Sequence, residues 1–154
     1  MKFSEQTQSF YPDDITYTNM PSDAAAIDQS DYQHLYAAII DGSHVYFDGG
    51  KAIASTPRPD SYHSWGSGSK GWVLTDEAEQ QKKADEVAAA ILTKQELTDT
   101  ALESISVIQL KLQAGRTLTD TEKSKLNATL DYIDAVEAID TSIAPAISWP
   151  QKPQ

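Results

Sequence analysis

The side chains able to do chemistry in this chain are few and scattered. Its three histidines, His34, His44 and His63, belong to no His-Glu-x-x-His pair, and no spacing sets two imidazoles on one helical face. Each reads more simply as a packed or surface histidine than as a metal ligand. Asp13, Asp14, Asp41 and Asp48 offer carboxylates to a divalent cation but lack the ordered alternation of a calcium-binding loop, and turn and cap roles suffice for Asp41 and Asp48. Gly66-Ser-Gly-Ser-Lys-Gly71 has the composition of a phosphate-cradling loop without its G-x-x-x-x-G-K-[ST] spacing, and Lys70 is followed by Gly71, Trp72 and a predicted strand instead of a helix. No Gly-x-Ser-x-Gly elbow exposes a serine, and the many serines suit turns and caps. The absence of cysteine removes thiolate catalysis, disulfides and cysteine-ligated zinc together. The expectation is no catalytic residue, no cofactor and no metal: not an enzyme.

Composition narrows the partners. The 154 residues are 40% hydrophobic, enough for a modest core, and 23 acidic against 12 basic side chains give a formal net charge of −11. Coulomb repulsion then disfavours nucleic acid and anionic membrane surfaces. The N-terminal Met-Lys-Phe-Ser-Glu-Gln-Thr-Gln lacks the apolar run of a secretory signal, and no stretch reaches the ~18 apolar residues of a membrane span. A soluble protein kept in a cytoplasm is expected.

The elements that would carry these residues change character near Thr75. Eleven of the thirteen aromatics and six of the seven glycines precede it, and beyond it the chain is rich in Ala, Gln, Glu, Lys and Leu. The fold class expected is α+β, with a small aromatic-rich N-terminal β/α unit over residues 1–75 and a helical hairpin with an extended tail over 76–154. In the first part, Asp28 or Ser30 caps a short helix carrying Tyr32, Leu35, Tyr36 and Ile39, stopped at Asp41-Gly42. His44–Phe47 and Lys51–Ala54 flank the turn Asp48-Gly49-Gly50 as a β-hairpin, and Pro57 and Pro59 interrupt any continuation. Tyr62–Trp65 and Gly71–Leu74 form a second hairpin across the Gly/Ser turn, with aromatics supplying the core.

In the second part, Thr75 caps a helix that meets no Pro or Gly until Gly115, so the pattern predicts one helix over about 76–114, a length of about 58 Å. Gly115 suits the position after its end. Thr119-Asp-Thr-Glu122 is a capping box opening a second helix over about 120–139, and Pro145 forbids its extension. Ala101, Ile105, Ile108 and Leu112 form a narrow seam that meets Leu126, Leu130, Ile133 and Val136 in reverse order, with Ile105 near Leu130 and Ile108 near Leu126. The proximal stripe of Ala78, Val87, Ala88, Ile91 and Leu92 is left for the N-terminal unit, a second copy (self-association) or another protein. Two prolines make Ile147-Ser-Trp-Pro-Gln-Lys-Pro153 an extended tail, anchored by Trp149.

Taken in order, Tyr62-His-Ser-Trp65, Gly71-Trp-Val-Leu-Thr75, Asp76-Glu-Ala-Glu-Gln-Gln81, the long helix, Gly115-Arg-Thr-Leu-Thr119 with Glu122, and the ending from Ile147 to Pro153 resemble the tail fibre assembly proteins of tailed bacteriophages and prophages. Phe10-Tyr-Pro12 and the segment from Pro21 to Tyr32 are similar to the N-terminal part of that family. The resemblance implies a chaperone without a catalytic site. Its partner would be the distal, receptor-binding end of a trimeric tail fibre, which it helps to fold in the host bacterial cytoplasm; some members stay on the fibre tip. On this reading Phe10, Tyr11, Tyr17, Tyr46, Tyr62 and Trp65 are the candidate partner-binding residues, because aromatics bury much area at little rotamer cost. The alternative is a structural tip component or adhesin that contacts host-surface glycans.

Overall fold

In the computed structural model, which describes residues 1–153, the chain divides into two units, Met1–Glu79 and the residues from Gln80 onward. It is a mixed α and β protein with small antiparallel sheets. The first unit holds β1 (Lys2–Ser4), β2 (Ser9–Tyr11), β3 (Ala25–Ala26), α1 (Gln29–Ile40), β4 (Ser43–Asp48), β5 (Lys51–Pro57), β6 (Ser64–Gly66) and β7 (Gly71–Val73). β1 is the centre of a three-stranded sheet ordered β2-β1-β3; β4–β5 and β6–β7 are separate two-stranded sheets.

Local chemistry sets most of these boundaries. Gly49 and Gly50, at φ +57° and +83°, make the two-residue turn between β4 and β5, a conformation that residues bearing a Cβ adopt at a cost. Asp28 occupies the N-cap position of α1, yet its side chain makes no cap hydrogen bond; the helix stops at Asp41, and Gly42 at φ +86° donates to Ile39 C=O. Val45 and Phe47 of β4 lie opposite Ala54 and Ala52 of β5, so one face of this hairpin is apolar and α1 covers it with Leu35 and Ile39. Phe3 of β1 completes the core, its ring 4.9 Å from Phe10 and 6.1 Å from Phe47. Burial of one such phenyl ring contributes about 1.5–3 kcal/mol, which makes these few aromatics the main source of stability in so small a unit.

In the helical part, the expected single helix over 76–114 is instead two: α2 (Asp76–Ser104) and α3 (Ser106–Gln113). The interruption is at Ile105, with φ −112° and ψ 8°. Ser104 Oγ donates to Ala101 C=O at 2.7 Å, and Ile105 N–H reaches only three residues back, to Leu102 C=O. A serine competing for a helix carbonyl and a β-branched residue beside it together favour the tighter turn. Thr75 caps the start of α2, its hydroxyl accepting from Ala78 N–H at 3.2 Å. α3 ends with paired bonds from Gly115 N–H to Leu112 C=O and from Arg116 N–H to Lys111 C=O, the glycine at φ +69°. α4 (Asp120–Glu137) then runs antiparallel to them, since Lys111 pairs with Glu122 at one end while Lys94 donates to the carbonyls of Glu137 and Ile139 at the other.

The seam between these helices differs from the expected one. Ala101 clusters with Tyr132, Ile133 and Val136, while Ile105 and Ile108 cluster with Leu118 and Leu126. Ile105 therefore meets Leu118 and Leu126, whereas Leu130 and Leu112, both expected inside, are 43% and 50% exposed. On α4 the buried positions are Thr129, Tyr132, Ile133 and Val136, an i, i+3, i+4, i+7 stripe that leaves Leu130 outside. On α3 the buried position is Ile108, and three residues on it is Lys111 that is half-buried while Leu112 faces outward. Ala90 of α2 is buried, and Ile91 and Leu92 are exposed. A short 3₁₀ turn (Thr141–Ile143) follows, then a segment without helix or strand in which Trp149 is half-buried.

The Glu122 carboxylate binds Lys111 and the backbone N–H and hydroxyl of Thr119, and these hold its pKa at about 2, down from 4.5, with the lysine contributing most. A carboxylate depressed on folding stabilises above its unfolded pKa and loses that contribution as pH falls through its folded value. Glu122→Gln keeps a capping side chain and removes the charge. We therefore expect a lower Tm for Glu122→Gln above pH 4.5 and convergence with the parent near pH 2, measured by thermal melts across pH. A pH-independent gap would show that the charge is not what matters.

Candidate protein-interaction site

The outer face of the β4–β5 hairpin answers why aromatics crowd the Gly/Ser turn. His44 and Tyr46 alternate with the core residues Val45 and Phe47 and so point the other way. Trp65 of β6 stacks on His44 with centroids 4.3 Å apart, leans on Tyr46 at 5.2 Å, and meets its cross-strand partner Trp72 edge-on at 5.5 Å. Trp72 Nε1 donates to Thr56 C=O at 2.8 Å, tying the β6–β7 hairpin to β5. The turn itself is tight: a Cβ on Gly66 would sit 2.7 Å from Val73 Cγ2 and 2.6 Å from Ser69 Oγ, so only glycine fits without displacement. Lys70, in the left-handed region at φ +48°, pairs with Asp48 and stands 6.0 Å from the Tyr46 ring. Gly66–Gly71 is thus a structural turn whose lysine serves this ion pair.

Beside this layer lies a cavity of about 470 Å³ lined by Glu5, Asp23, His44, Phe47 and Trp65 among others. Burial pushes the His44 imidazole below its ordinary pKa, opposed by the Glu5 charge, so His44 is neutral near pH 7. The Asp23 carboxylate is held low by Gln6 N–H first and by the Ser4 hydroxyl, and stays ionised. Trp65 Nε1 is buried with no hydrogen-bond partner among the described residues. Residues 1–79 carry twelve acidic against four basic side chains, and the remainder eleven against eight, so most of the net negative charge belongs to the first unit. Among the described residues no group of three or more His, Asp and Glu side chains is placed to hold a metal ion. None of their helices is long and apolar enough to cross a membrane.

The sequence-derived partner-binding residues divide among four places. Phe10 packs on the core beside Phe3, Tyr32 and Tyr36; Tyr11 and Tyr17 meet edge-on at 5.1 Å; Tyr46 and Trp65 belong to the outer aromatic layer. Tyr62 is half-buried, its N–H bonded to Asp60. All six are half-buried, so each packs within the unit while keeping some surface. Tyr36, which the sequence assigned to a helix stripe, is 49% exposed, more than any of them.

The sequence profile of the family described as "Caudovirales tail fibre assembly protein, lambda gpK" matches residues 5–154. The chain belongs to this family. Among curated tail fibre assembly relatives, it is 53% identical over 93 residues to "Prophage tail fiber assembly protein homolog TfaE" of Escherichia coli strain K12, a stretch that covers 60% of this chain and 44% of that one. It is equally identical over 93 residues to "Putative protein TfaS" of the same strain, covering 77% of that protein. The match to "Uncharacterized protein YfdK", also from strain K12, is 32% identical over 158 residues and covers 98% of this chain and 94% of YfdK. The matched stretch thus spans less than half the length of TfaE. No solved structure matches. Within this chain the profile takes in β2 through β7 and, among the described residues, all the α-helices, so the aromatic layer and the helix pair both fall inside the family match.

Proposed function

We propose that this protein is a non-catalytic chaperone for a phage tail fibre. It binds the distal, receptor-binding region of the fibre in the bacterial cytoplasm and covers surfaces that three fibre chains expose before they come together. The observation that carries the reading is the family match over residues 5–154. The physical need is that intertwined β-rich trimers pass through states with apolar surface and unpaired strand edges, which aggregate unless masked. A unit with half-buried aromatics, small open sheets and a surplus of acidic groups supplies such a mask, and its charge keeps the complex soluble. The antiparallel helix pair and extended tail form the supporting part.

The cavity beside Trp65 favours a second reading, a tip component or adhesin, because an aromatic ring flanked by the carboxylates of Glu5 and Asp23 is a surface suited to a sugar ring. Retention on purified virions and glycan binding by the isolated protein would support it; release from mature fibres supports the chaperone.

The first reading is tested by co-purification of the fibre's distal region with this protein and its Ala variants. Tyr46→Ala and Trp65→Ala should each weaken capture about tenfold or more, as centrally buried interface aromatics do, with helical circular dichroism unchanged. Full-strength capture by every aromatic variant of residues 1–79 would remove this face from the interface.

A further inference from the structure

The backbone of the β4–β5 hairpin is closed on one side and open on the other. Gln8, held at φ +51°, docks its side-chain amide on β4 as a strand would: Oε1 accepts from Val45 N–H at 2.8 Å, and Nε2 donates to Val45 C=O at 2.7 Å. Glu5 Oε2 accepts from Phe47 N–H at 3.1 Å. Val45 and Phe47 therefore turn their backbone groups away from β5, and Tyr46 and Asp48 turn theirs toward it, opposite Ile53 and Lys51. By the same alternation Ala52 and Ala54, opposite Phe47 and Val45, direct their N–H and C=O groups out of the hairpin. The next outward carbonyl along β5, that of Thr56, is taken by Trp72.

No hydrogen bond among the described residues reaches Ala52 or Ala54 from that side, although Ala52 is only 7% exposed. Unpaired backbone groups in so covered a position are costly, and a strand is the partner that fits their spacing. A groove of about 340 Å³ runs along this edge between β5 and α1, with Asp31 and His34 on its helical wall. A second of about 510 Å³ shares His34 and Ala54 with it and reaches Asp41. Asp31 and Asp41 have no cationic partner among the described residues.

We propose that the outer edge of β5 is the docking site for one extended strand of the fibre chain, pairing with Ala52 and Ala54 and setting a basic side chain against Asp31 or Asp41. This rests on the fibre-binding reading and specifies its geometry. Main-chain pairing supplies affinity that tolerates sequence variation, and the acidic wall supplies a preference for Lys or Arg. Edges left open in the unassembled fibre are the complementary half of such a pair.

The test is amide hydrogen exchange of the full chain, alone and with the fibre's distal region, together with capture by Ala54→Pro. Proline at position 54 removes an N–H that the hairpin does not use, so the fold should persist; Ile53→Pro, which breaks the internal pairing, is the misfolding control. The amides of Ala52 and Ala54 should exchange at least about tenfold more slowly in the complex, and Ala54→Pro should weaken capture by about tenfold or more. Capture at parental strength with those two amides unprotected overturns the edge site while leaving fibre binding intact. Absence of capture by the parent protein overturns the functional reading as well. Protection that depends on this protein's own concentration, without fibre, assigns the edge to a second copy and rejects the fibre strand.

Discussion

Phe3→Ala is expected to remove about 3–5 kcal/mol from the first unit, the loss typical of a phenyl ring cut out of a filled core. Phe3 lies on the central strand of its sheet with no exposed surface, and it bridges Phe10 of β2 and Phe47 of β4 across two separate sheets. A domain is stable by only about 5–15 kcal/mol, so this change should remove a large fraction of the unit's stability. Amide exchange in β1, β4 and β5 and the near-ultraviolet signal of Trp65 and Trp72 would report it. Phe3→Leu, which keeps most of the volume, should cost about 1.5 kcal/mol or less by comparison. Equal losses for both variants would mean that filling the space between the sheets is not what Phe3 does.

Ile105→Ala sets two effects against each other in the helical unit. Alanine is the better helix former by at most about 0.7 kcal/mol and would smooth the irregular turn. The isoleucine, however, is fully buried against Ile108, Leu118 and Leu126, and its removal opens a cavity that costs about 2–5 kcal/mol. The larger magnitude decides the sign, and net destabilisation by about 2–4 kcal/mol is expected in denaturant melts. A stabilised variant would show that the turn at Ile105 is strained enough to outweigh its packing.

What was legible in the sequence was what local chemistry determines. Asp48-Gly49-Gly50 announced a hairpin because two successive positive-φ positions have few other uses, and Thr119 with Glu122 announced a helix start because both of its capping bonds close within four residues. The three-stranded sheet was not visible. Lys2–Ser4, Ser9–Tyr11 and Ala25–Ala26 are too short for a period to register, and β3 pairs with β1 across more than twenty residues. The helical seam is not legible at Leu130 because the polar Thr129 takes the buried place in the α4 stripe, and apolar spacing alone does not place Leu112 outside. A buried threonine beside Tyr132 moves the stripe by one position, and one residue in the left or right phase decides which leucine faces water.

The candidate site was legible as a composition and not as a surface. The clustering of Tyr46, Trp65 and Trp72 could be read from the chain, but only their positions reveal that His44 lies under Trp65, or that Gln8 reaches across from the first hairpin to close β4. Glutamine in a short polar stretch carries no mark of that task. The open edge of β5 follows from it, since which backbone groups face outward depends on which ones Gln8 and Glu5 already hold.

The central claim is that this protein acts by covering another chain during assembly. The most direct measurement is expression of the fibre with and without this protein, followed by separation of soluble from insoluble material and determination of the fibre's oligomeric state. Soluble trimer formed only in the presence of this chain is the expected result. Equal yields of soluble trimer in its absence would contradict the claim.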